Sequence, residues 1–204
     1  MKFIKLILLP FVLSIISLNI QAQEKPSREQ TIEYINKILK KTIGLEFFAL
    51  ESSYANQTII ENNLTYNADN RSHELYIRHK HYEADNQWCK IETRIQYKNF
   101  IFKNFSSISD NALHPAEYIQ LTSPIKYIGI AFPAKEVTKE STAKYLYSNE
   151  CRNNTNTPLY EANRPVDRIF IPYPTGDPDD LKRLKNAFLR LKELDADLKD
   201  PFLD

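Results

Sequence analysis

Between Trp88 and Tyr97 the sequence alternates without a slip. Cys89, Ile91, Thr93, Ile95 and Tyr97 share one face, while Lys90, Glu92, Arg94 and Gln96 share the other. A period of two marks a half-buried antiparallel strand, because successive strand side chains point to opposite sides. The stretch before it behaves the same way: His73, Leu75, Ile77, His79 and His81 fall on one face of a strand over His73–Tyr82. Glu83-Ala84-Asp85-Asn86 is a polar turn between the two, so the pair reads as a hairpin. A hairpin with one apolar face cannot stand alone in water and needs a cover.

Two amphipathic segments at opposite ends of the chain offer that cover. Ser27 and Gln30 form a capping box, and Ile32, Ile35, Ile38, Leu39 and Ile43 recur at helical spacing up to Gly44, which predicts a helix over 28–43. At the other end Asp177-Pro178-Asp179-Asp180 is a helix start, with an N-cap carboxylate, a proline at the first helical position and acids near the positive end of the dipole. Leu181, Leu184, Phe188, Leu191, Leu194 and Leu198 then form one apolar stripe. Its basic residues Lys182, Arg183, Lys185, Arg190 and Lys192 are offset by Asp179, Asp180, Glu193, Asp195 and Asp197, which reads as a solvated helix face. Between the helices, Thr58–Tyr66, Ile125–Phe132, Lys144–Tyr147 and Arg168–Tyr173 read as further strands, Asn99–Phe105 as a short strand or aromatic bend, and Ser106–Pro124 and Asn149–Pro165 as loops. The expected fold is α+β: an antiparallel sheet or partly open barrel of about six strands, flanked by an N-terminal and a C-terminal amphipathic helix.

The N-terminus predicts the compartment. Lys2 and Lys5 precede an apolar run from Leu6 to Leu18, and small Ala22 stands where a signal peptidase cuts. The run is about 13 residues, short of the roughly 20 that a spanning helix needs. Residues 1–22 therefore read as a signal peptide and residues 23–204 as a single exported domain, periplasmic or secreted. No cysteine precedes Cys89, so the chain does not read as a lipoprotein, and no later segment is apolar enough for a transmembrane helix. The chain has 27 basic and 26 acidic side chains; two of the basic ones, Lys2 and Lys5, lie in residues 1–22, so the mature chain carries about −1. That balance argues against a nucleic-acid partner. Only three glycines occur in the chain, and no phosphate loop or dinucleotide fingerprint is present, so no cofactor is expected. An oxidising compartment permits a disulfide between Cys89 and Cys151, and two separate buried thiols are the alternative.

The layout resembles exported bacterial domains of unknown function, in which a leading helix precedes a curved antiparallel sheet and a final helix follows a strand and an acidic turn. The residues that carry the likeness are Arg183 to Leu194, followed by Lys199-Asp200-Pro201-Phe202. Such domains are similar in outline to pleckstrin-homology-like barrels. The resemblance implies that the C-terminal helix plugs an open end of the sheet. It also implies a binding or assembly role, and brings no catalytic residue with it.

Two constellations carry chemistry. His79 and His81, two apart on a strand, project to one face, and Glu83 extends the row. Two imidazoles and a carboxylate are a reasonable zinc set, with His114 as a further donor if the fold brings it near. Tyr97, Phe100, Phe102 and Phe105, with Lys98 and Lys103 between them, can line a groove for a ligand or a partner, or fill the core. No nucleophile elbow is present, and Asp179 and Asp180 are helix-start residues rather than paired catalytic acids. The sequence thus points first to an exported, non-enzymatic binding module with a protein or small-molecule ligand, using a sheet edge, a barrel mouth or the aromatic segment. The alternatives are a metal-dependent hydrolase on His79 and His81, and a structural component of a surface assembly.

Overall fold

A computed structural model describes residues 25–48, 56–83, 86–110, 124–133, 135–147 and 160–197. The segment 1–22, His114, Cys151 and Leu198 lie outside them. The first helix, α1, runs Arg28–Leu39 and carries both halves of the capping box at Ser27 and Gln30. A 3₁₀ turn, Lys40–Thr42, follows it, and Gly44 adopts φ 83°, the left-handed conformation that lets the chain turn away. The strands are β1 (Glu46–Phe48), β2 (Asn56–Asn67), β3 (Ser72–Glu83), β4 (Asn86–Phe100), β5 (Ser107–Asp110), β6 (Ile125–Ala131), β7 (Val137–Tyr147), β8 (Tyr160–Val166) and β9 (Arg168–Pro174). The second helix, α2, runs Asp180–Ala196.

The protein is α+β with helices at both ends, as the periodicity predicts. Among the described residues the strands form two open sheets: one of six strands in the order β1-β2-β3-β4-β7-β8, and one of three in the order β5-β6-β9. Every pairing is antiparallel. One core joins all the layers. Leu64, Leu75, Ile77 and Tyr97 come from the large sheet, Ile128, Ile130, Ile169 and Ile171 from the small one, Ile35 and Leu39 from α1, and Leu184, Phe188 and Leu191 from α2. The opposite face of the large sheet is laced by ion pairs: Lys98 with Glu140, Arg94 with Glu92, and Arg78 with Glu61.

Three departures from the predicted elements have local causes. The segment Ser106–Pro124, predicted as loop, contains β5, the segment Asn149–Pro165 contains most of β8, and β7 is far longer than Lys144–Tyr147. Thr138, Lys139, Glu140, Ser141 and Thr142 carry no apolar alternation, so β7 is made by its neighbours, pairing with β4 on one side and β8 on the other. β8 contains Pro165 and lies at a sheet edge, where a missing N–H is tolerated. The start of α2 also differs. Its N-cap is Asp179, with no side-chain cap. Asp177 instead holds the turn before the helix, accepting from the Asp179 N–H through its carboxylate at 3.0 Å and from the Asp180 N–H through its carbonyl at 3.1 Å.

Two bulges set which side chains reach the core. The β3–β4 register slips between His73 and Leu75, so that Phe100 stands opposite His73 and Tyr97 opposite Leu75. Asn99 at φ 61° takes up the extra residue, which is why Tyr97 and Phe100, three apart, both point inward. The slip between Ile59 and Glu61 on β2 does the same for Ile59 and Asn62.

Burial of phenols makes stability sensitive to alkali. Burial pushes the Tyr97 phenol up to about 12 from 10.0, and burial followed by the nearby Tyr97 pushes Tyr127 up as well. In the unfolded chain these groups ionise at their ordinary values. The stability they contribute is therefore whole below pH 10 and falls as pH rises towards about 12, by on the order of 2–3 kcal/mol for Tyr97. Tyrosinate absorbance followed alongside circular dichroism checks this: these two phenols are expected to ionise together with loss of the fold. Full ionisation with the dichroism unchanged contradicts it.

Candidate functional site

The helices are joined by a buried carboxylate that the charge pattern assigned to a solvated face. Asp195, near the end of α2, is fully buried. It accepts from the Phe102 backbone N–H at 2.8 Å, from Arg28 Nη2 at 3.2 Å and from His73 Nε2 at 3.1 Å. These partners come from the turn after β4, the first turn of α1 and the start of β3. The contact assigns the proton of His73 to Nε2, and its Nδ1 is buried with no hydrogen-bond partner. Arg28 also donates to the Leu194 carbonyl at 2.8 Å and lies 4.5 Å over the Tyr66 ring. A second buried acid, Asp180, ties the start of α2 to Lys41 at 2.8 Å. Both acids sit in positions that the sequence presents as ordinary helix-surface charges.

The other tie is neutral. Asn36 of α1 donates from Nδ2 to the Leu64 carbonyl at 2.8 Å and accepts from the Leu64 N–H at 2.8 Å. An amide side chain thus takes the place of a neighbouring strand on the outer edge of β2. β1 reaches only Asn56–Thr58, and Gly44 and Leu45 bond Ile59, so α1 takes over beyond them.

Along this junction lies an open groove of about 1060 Å³ between α1 and β2. Ile32 lines it from the helix, and Leu64, Thr65 and Tyr66 line it from the strand, with the Leu64 side chain itself buried in the core. Glu29 and Glu33 line the end nearer the helix N-terminus, and Lys37 and Lys40 the other. Tyr34, also in the lining, is 42% exposed. The Tyr66 ring is held by Arg28, so the Asp195 network positions one wall of the groove.

The predicted site residues fall elsewhere. Tyr97, Phe100, Phe102 and Phe105 are at most 5% exposed and pack in the core, so no open aromatic groove forms there. Phe102 stacks on Phe188 with ring centroids 5.5 Å apart and meets Phe100 edge-on at 5.4 Å. The lysines between them turn outward, Lys98 onto Glu140. His79 and His81 do share one face, with ring centroids 6.4 Å apart. Burial pushes the His81 imidazole below its ordinary value. The pairing slips between Tyr82 and Glu83, and no group of three or more His, Cys, Asp or Glu that could hold a metal occurs among the described residues. Cys89 is buried in β4 beside Ile91. Asp180, read from the sequence as a helix-start acid, is buried and paired with Lys41, and Asp179 is the N-cap. No helix among the described residues is long and apolar enough to cross a membrane.

Against protein-family models, curated proteins and solved structures, the chain gives no match.

Proposed function

We propose that this chain is an exported binding module that holds an extended segment of a protein partner in the groove between α1 and β2. The groove itself carries this reading. It is open and lined by both charge signs in order along α1, acids at one end and lysines at the other. Enclosed small-molecule sites of comparable volume bury most of their ligand in apolar walls, whereas this one is a trough. Charges ordered along a trough favour a segment carrying bases at one end and acids at the other, since opposed charges steer the encounter and fix its direction.

The test uses two substitutions on the rim, Glu33→Arg and Thr65→Arg, both at exposed positions of the groove lining. Immobilised wild-type chain is expected to retain a discrete partner from envelope extract of the source cells. Each variant is expected to lose most of that retention, while its melting temperature stays within about 2 °C of wild type, as surface changes usually do. Equal retention by both variants contradicts the reading.

A further inference from the structure

We infer that His79 and His81 form a binding site for a zinc or copper dication, separate from the groove and further along β3. Both side chains leave the same face of one strand, and their ring centroids are 6.4 Å apart at an interplanar angle of 43°. An ion about 2.0–2.1 Å from one nitrogen of each ring places two such centroids roughly 5 to 6.5 Å apart. The observed spacing lies at the wide end of this range, so a tetrahedral ion draws the two rings together by about 1 Å, within the reach of side-chain rotation. His81 Nδ1 is buried and has no hydrogen-bond partner. A buried polar atom left unmade is costly, and a bound cation satisfies an imidazole lone pair directly.

The surroundings fit such an ion. His79 stands between Ile59 on β2 and Thr93 on β4, and His81 between Gln57 and Ile91. These flanks are neutral, so the two imidazoles set the chemistry: borderline metals that accept nitrogen donors, rather than calcium or magnesium, which take oxygen. With two protein donors the remaining positions belong to water. A dissociation constant on the order of micromolar is expected, weaker than at closed structural sites.

The experiment is native mass spectrometry of the full chain, purified without chelator and titrated with Zn²⁺. One ion per chain is expected, with His79→Ala and His81→Ala each weakening binding by roughly tenfold or more. No bound ion at about 1 mM Zn²⁺ overturns the site, as does binding that survives in the double variant. Because His81 is partly buried, a second readout protects the test if its variant fails to fold. Substoichiometric Cu²⁺ added to the wild-type chain is expected to broaden the His79 and His81 ring resonances before that of the buried His73. Broadening that begins at other histidines overturns the inference.

Discussion

Replacing Asp195 by alanine is expected to destabilise the protein by about 3–5 kcal/mol, the range seen when one partner of a buried charge pair is removed. The expectation follows from what is left behind. Arg28, whose side chain is 14% exposed, loses its carboxylate, and the buried Phe102 N–H and His73 Nε2 lose their acceptor. All three are donors, so none of them can satisfy another once the carboxylate is gone. A domain of this size is stable by only about 5–15 kcal/mol in total, so the loss is a large share. Asp195→Asn should cost less, since an amide oxygen still accepts from Phe102. Equilibrium unfolding in urea measures both. A loss below about 1 kcal/mol for Asp195→Ala contradicts the network as described, because that is the worth of an exposed pair.

Phe102→Ala is expected to cost a similar amount, about 3–5 kcal/mol, through a different cause. The ring is fully buried among His73, Phe100, Phe105 and Phe188, with centroid distances from 4.8 to 6.4 Å. These contacts come from β3, the end of β4 and α2. Truncation leaves a cavity at their junction, and the 3₁₀ turn Phe102–Asn104 gives little room for collapse. Phe102 and Asp195 are in direct contact through the backbone, so their effects should not add, and the double variant is expected to lose less than the sum. Strict additivity in the same urea measurement contradicts the coupling.

These two residues also show where sequence reading runs out. The hairpin of β3 and β4 and the apolar stripes of both helices are legible because each repeats a period set by geometry, 2.0 or 3.6. β7 is not, since its inward Lys139, Ser141 and Ala143 are no more apolar than its outward neighbours, and pairing on both sides does the work of pattern. Phe100 was ambiguous for a related reason: the bulge at Asn99 reverses its face, and a bulge leaves only the weak signal of one asparagine. Asp195 looks like any acid near the end of a charged helix. Its burial depends on Arg28, His73 and Phe102, each about a hundred residues or more away in sequence. The groove was equally hidden, because Asn36 reads as a polar helix residue and only the fold brings it to Leu64. The His79 and His81 pair was legible, since two positions apart on a strand suffice to place both rings on one face.

Photo-cross-linking in the source cells separates a partner held in the groove from chance encounters. A photoreactive amino acid is placed at Glu33 on the helix rim, and in a parallel chain at Glu161 on β8, at the far edge of the large sheet. Both positions are exposed, so both report on chance encounters equally. A discrete adduct of one mass at position 33 and none at position 161 is the predicted result. Adducts of equal yield at both positions, or at 161 alone, contradict a partner held between α1 and β2.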